Sequence, residues 1–143
     1  MMYIKQVSIF VENKKGTIAE VISILGRQGI NIRALSVADT ADYGILRLIV
    51  DDPNRAYDIL KDSYTLKLTD VIGFELPDRP NGLGEILELL HLKNIEIDYV
   101  YTFVGHHKDK ALCIIKPTDL AGALAILKEN NITIVKNEGI YEE

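Results

Sequence analysis

The chain has 143 residues, 48% of them apolar and 26% charged, with a net charge of −5 and one cysteine. That balance fits a soluble globular chain, one ordinary domain or two very small ones. It speaks against nucleic acid and anionic membranes as partners, since both select a basic face, and a single cysteine excludes an internal disulfide. The opening MMYIKQVSIFVEN lacks the basic start and long apolar core of a signal peptide. No apolar run reaches the ~18 residues of a membrane span, so the cytoplasm is the expected location.

Val7, Ile9 and Val11 sit two apart, the period of a strand. TIAE at 17–20 has capping-box spacing, with Thr17 as the expected N-cap and Glu20 reaching back to it. Ile18, Val21, Ile22 and Leu25 then mark one helical face, and Gly29 suits the position just past the helix end. NIRALSVAD reads as a strand, TADYG as a turn and ILRLIV as a strand buried on both faces. DDPNRAYDILKDS opens with turn residues and places Ala56, Ile59 and Leu60 on one helical face. TLKLTDVIGFEL holds two strands in succession with no linker between them.

PDRPNGLGEILELL follows: a turn with Gly82 at the expected cap position, then a helix from about Leu83 to Leu92. In the strand IEIDYVYTFV the alternation puts Ile97, Tyr99, Tyr101 and Phe103 on one side and Val100 and Val104 on the other. GHHKDK reads as a turn, ALCII as a strand, Asp119 to Glu129 as a helix and ITIVKNEGIY as the last strand. Cys113, inside ALCII, is expected to be buried and inert.

The chain repeats itself. With residue 18 over 83, IAEVISILGRQGINIR lies on LGEILELLHLKNIEID. Four of sixteen pairs are identical (Glu20/Glu85, Leu25/Leu90, Ile30/Ile95, Ile32/Ile97) and five more exchange small or aliphatic residues. A unit of roughly 65–70 residues is therefore duplicated, with expected spans 1–70 and 71–143. The order β-α-β-β-α-β, twice, predicts an α+β fold of two ferredoxin-like units, each an antiparallel sheet with helices on one face. The apolar character of IDYVYTFV and ALCII calls for cover on the other face. Sheet-to-sheet or edge-to-edge packing of the units, and a homodimer, are expected.

Catalytic chemistry finds no constellation. His91 falls within a helix, His106 and His107 in a turn, and no nucleophile elbow, Cys-His pairing or zinc-protease motif occurs. Neither the P-loop nor the dinucleotide fingerprint is present, and the aromatic residues of IDYVYTFV lack the basic signature of an RNA-recognition sheet. No enzyme activity, cofactor or metal is expected. What remains is a glycine turn ahead of a helix, in duplicate. Its first-turn N–H groups, at the positive end of the helix dipole, bind a carboxylate as readily as a phosphate.

The pattern strand, NKKGTIAEV, helix, QGINI, strand, and again strand, DRPNGLGEI, helix, KNIEID, strand, resembles the ACT domain, over essentially the whole sequence and as a tandem pair with no catalytic domain attached. That module regulates amino-acid biosynthetic enzymes such as phosphoglycerate dehydrogenase and aspartate kinase. The chain departs from the usual pattern at Lys15, where proline is common, and at Asn81, where glycine is. The resemblance implies a regulatory, allosteric protein that binds a free amino acid at the turns, beside unit or subunit interfaces. Asn13 and Asn31 match the asparagines of serine-binding members, and Asp98 the aspartate of lysine-binding ones. Arg33 is its counterpart in unit one, and Asp78 and Glu96 stand where unit one has asparagines. N–H groups near Gly16, Thr17 and Ile18, or near Gly82 and Leu83, would hold the carboxylate, while Asn13, Asn31 or Asp98 take the ammonium or side chain; Asp78 and Asn81 complete the expected ligand-binding set. The alternative is an interaction subunit that docks on an amino-acid-metabolism enzyme without a ligand.

Overall fold

The structure, a computed structural model, describes residues 3–12, 16–39, 42–107 and 110–136, with the side chains of 103–107 excepted. Its elements are β1 (Ile4–Glu12), α1 (Thr17–Arg27), β2 (Ile32–Asp39), β3 (Tyr43–Val50), α2 (Pro53–Leu60), β4 (Thr65–Pro77), α3 (Gly82–Leu92), β5 (Ile97–His107), β6 (Lys110–Pro117), α4 (Leu120–Glu129) and β7 (Ile134–Val135). Contacts divide the chain into two compact units, Lys5–Thr69 (unit one) and the residues from Asp70 onward joined by Tyr3 and Ile4 (unit two). β4 is a single strand whose residues serve the two units in turn.

Unit one has the strand order β2-β3-β1-β4, antiparallel where β1 and β2 meet β3. In unit two β4 lies between β7 and β6, and β6 pairs β5. Both are the ferredoxin-like order. Val7, Ile9 and Val11 pair with Leu48, Leu46 and Gly44, and this face meets Val21 and Leu25 of α1 and Ala56 and Leu60 of α2 in one core. The second core repeats it with Ile72, Phe74, Cys113 and Ile115 against Ile86 and Leu90 of α3 and Ala123 and Leu127 of α4. The aligned pair Leu25 and Leu90 is fully buried in both. On the face of β1 away from the helices the buried Gln6 donates to Ser8 Oγ at 2.9 Å, and Ser8 and Thr69 share a hydroxyl hydrogen bond of 2.9 Å. That pairing satisfies polar groups whose desolvation would otherwise be costly.

Three helices stop in the same way. Gly29, Asn94 and Asn131 have φ of 78°, 61° and 60°. The next residue is each time an isoleucine whose N–H donates back to a leucine carbonyl: Ile30 to Leu25, Ile95 to Leu90, Ile132 to Leu127, all at 3.0 Å. This is the Schellman motif with its apolar contact, and Gly29 takes the place expected of it.

Three expectations are corrected. The N-caps are Gly16 (φ 87°) and Asn81 (φ 62°), one residue earlier than Thr17 and Gly82, and neither helix has a side-chain cap. The cap position has a positive φ, which glycine and asparagine tolerate and a β-branched threonine does not. The strict alternation along β5 fails at Asp98, where the register shifts: Ile97 pairs with Pro117 but Tyr99 with Lys116 and Val100 with Ile115. Tyr99 and Tyr101 therefore face away from Ile97, because a bulge adds one residue to a period of two. β2 shifts at the aligned Arg33. Finally, β5 continues through His107, so the turn between β5 and β6 is shorter than GHHKDK. Lys108 and Asp109, and the side chains of Phe103, Val104, His106 and His107, lie outside the described residues.

Candidate functional site

The end of β1, the first turn of α1 and the entry to β4 enclose a cleft of about 550 Å³ in unit one, lined by Phe10, Val11, Glu12, Thr17, Glu20, Tyr43, Ser63, Tyr64 and Thr65. The fold brings them together. β1 and β4 are neighbours in the sheet, and the first turn of α1 adds Thr17 and Glu20 to the lining. The volume lies within the about 300–1,000 Å³ usual for small-ligand sites.

The walls differ in chemistry. Phe10 and Tyr43 form an apolar side, their rings tilted with centroids 6.1 Å apart; both side chains are exposed. The lining also includes the hydroxyl residues Thr17, Ser63 and Thr65 and the acidic residues Glu12 and Glu20, which make it polar and anionic. Tyr64 Oη donates a hydrogen bond to a Glu20 carboxylate oxygen. Burial first, and then the hydrogen bond and negative charge of Glu20, push the Tyr64 phenol up to about 12. Glu20 thus points across the cleft instead of back to the cap. Its N–H still donates to the Gly16 carbonyl at 2.9 Å.

The site residues expected from the sequence scatter. Thr17 lines the cleft. Gly16 is exposed, with open space where a Cβ would stand, and Ile18 is exposed on α1; neither is among the lining residues. Asn13 lies outside the described residues. Asn31 pairs with Asp51 by backbone and side chain, its N–H donating to the carboxylate and its carbonyl accepting the Asp51 N–H, both at 3.1 Å; it does not line the cleft. Asp98 is half-exposed in an ion pair with Lys116 at 3.5 Å.

The second turn is built differently. Asp78 and Asn81 are exposed. Gly82 is buried, and its N–H donates to the Arg79 carbonyl at 3.1 Å. A Cβ there would lie 2.7 Å from the Pro77 carbonyl oxygen. Leu83 packs into the second core. Arg79 spans the turn and grips Glu85, the counterpart of Glu20, through two contacts of 3.1 and 3.5 Å. Among the described residues no group of His, Cys, Asp and Glu is arranged to hold a metal ion, and no helix is long and apolar enough to cross a membrane.

Sequence reasoning missed Glu20 as a cleft residue, having given it a capping role, and passed over Tyr64, Ser63 and Thr65. The available signal was strand order: in a ferredoxin-like unit the last strand flanks the first, so KDSYT must lie beside the β1 turn.

Strand order, paired helices and duplication define a tandem ferredoxin-like module. The chain belongs to the ACT domain pair family, which it matches over residues 2–142. It is similar to protein BT0572 from Bacteroides thetaiotaomicron, at 37% identity and a TM-score of 0.91, with 99% of this chain and 98% of that one covered. It shares its fold with the ligand-free regulatory subunit of aspartate kinase from Thermus thermophilus (14% identity, TM-score 0.66, 90% and 93% covered). The same fold occurs in Escherichia coli aspartokinase III, solved with lysine and aspartate (15% identity, TM-score 0.55, 98% of this chain and 32% of that one). No curated protein is significantly similar in sequence.

Proposed function

We propose that this chain is a non-catalytic sensor that binds a free amino acid in the unit-one cleft and passes its occupancy to an enzyme of amino-acid metabolism. The observation that carries the reading is the cleft itself. It adjoins the start of α1, where the helix dipole favours a carboxylate, and it presents carboxylate and hydroxyl oxygens to an ammonium group (Glu20, Thr17, Ser63). The Thermus and Escherichia coli neighbours, a kinase regulatory subunit and a lysine-bound aspartokinase, support the same direction. Binding that favours one arrangement of units or subunits becomes a signal in proportion to the difference in affinity. A homodimer is part of the proposal: Leu35 and Val37 are exposed on β2, the outermost strand of unit one, and an uncovered edge invites a partner.

A thermal-shift screen of the twenty L-amino acids tests it. A ligand at a hundred times its Kd adds roughly 2.7 kcal/mol, so one or a few amino acids should raise the melting temperature. A folded protein indifferent to all twenty would refute sensing and leave the docking subunit as the better account.

A further inference from the structure

The two copies of one position carry the same carboxylate with different partners. Glu20 and Glu85 align in the repeat and occupy the same place in the first turn of α1 and α3. Glu20 faces a cleft and meets a neutral phenol. Glu85 meets a guanidinium, held in a two-point contact by Arg79 of its own turn. The backbone follows the same division. The aligned N-caps Gly16 and Asn81 are both left-handed, yet Gly16 looks into open space, whereas Gly82, next to Asn81, is buried against the Pro77 carbonyl with its N–H already donated to Arg79.

We infer that Glu20, positioned by Tyr64, is the group that takes the ammonium of the ligand, and that Arg79 is a built-in cation occupying the corresponding place in unit two, so that the chain binds one amino acid rather than two. The inference rests on the amino-acid reading above and adds the recognition group and the stoichiometry. A carboxylate offers an ammonium charge-assisted hydrogen bonds, about twice as strong as neutral ones. Tyr64, as a neutral donor, orients Glu20 without cancelling its charge; Arg79 cancels that of Glu85.

The test uses the full chain and whichever of the twenty L-amino acids gives the largest thermal shift, together with its 2-hydroxy acid counterpart, which keeps the carboxylate and side chain but lacks the ammonium. Titration calorimetry is run on the wild type, Glu20→Gln, Tyr64→Phe and Arg79→Gln. One site per chain is expected in the wild type. Glu20→Gln should weaken the amino acid about ten- to a hundredfold and leave the hydroxy acid within about twofold. A merely structural role for Glu20 would weaken both alike. Tyr64→Phe should cost less than Glu20→Gln, and Arg79→Gln should add a second, weaker site. If the wild type binds but Glu20→Gln stays within about twofold, or if the wild type holds two equal sites, the inference fails and sensing stands. If no amino acid binds, sensing itself fails and takes the inference with it.

Discussion

The phenol of Tyr64 donates a hydrogen bond to the Glu20 carboxylate, tying the residue that precedes β4 to the first turn of α1. Burial, with Glu20 second, raises its pKa from 10.0 to about 12. The folded state therefore holds this proton where the unfolded state releases it. The stability it contributes is complete below pH 10 and is lost as the pH rises through about 12. Tyr64→Phe should remove that component of alkaline unfolding, and the wild-type-minus-variant phenolate absorbance should titrate near 12. Glu20→Gln should lower that midpoint only part of the way, since burial remains. A midpoint at the ordinary tyrosine value would mean the contact does not form in solution.

The second helix of each unit, α2 or α4, carries a side-chain cap that α1 and α3 lack. Asp52 accepts from the Arg55 N–H at 3.1 Å and Asp119 from the Gly122 N–H at 2.9 Å. Replacing either by alanine should cost about 0.5–2 kcal/mol in urea unfolding, and asparagine should restore most of it. Each loss belongs to its own unit, so the double variant should show the sum.

Gly16 holds a φ of 87° with nothing near its missing side chain. Conformation, not space, selects glycine there, and the repeat supplies the control, since Asn81 fills the matching N-cap at 62°. Gly16→Ala should destabilise by roughly 1–2 kcal/mol, the cost of left-handed backbone for an ordinary residue. Gly16→Asn should cost less, because asparagine tolerates this region. Equal losses for the two variants, measured by chemical denaturation, would contradict the assigned backbone.

Much of this fold was legible because it rests on local periodicity. The helical spacing of Ile18, Val21, Ile22 and Leu25, the alternation of Val7, Ile9 and Val11, and Gly29 past the helix end each have a local cause. So does the repeat, which doubled every signal. The faces of β5 were not legible, since one added residue at Asp98 inverts the alternation without any mark in composition. The cleft was half legible. Its turn residues are contiguous, but Tyr64 and Glu20 lie 44 residues apart, and only the sheet order makes them neighbours. Asn31 and Asp98 matched a family pattern; the structure engages them with Asp51 and Lys116, partners that no local spacing announces.

Gly73 and Ile4 offer a sharper test of packing in unit two. Both are buried, and a Cβ on Gly73 would stand 2.4 Å from Ile4 Cδ1 and 3.5 Å from Ile114 Cδ1. The first distance is a collision and the second an ordinary contact. Gly73→Ala should therefore cost about 1–3 kcal/mol through overpacking, while Ile4→Val, which removes the offending Cδ1, should cost about 0.5–1.5 kcal/mol through the cavity it leaves. Combined, the new methyl occupies space that the lost one vacated. The double variant should then be more stable than the sum of the single losses, with a coupling of at least about 0.5 kcal/mol. Urea denaturation of the four proteins measures it. Simple additivity would show that Ile4 turns aside on its own, and that glycine at this position answers to strand geometry instead of to its neighbour.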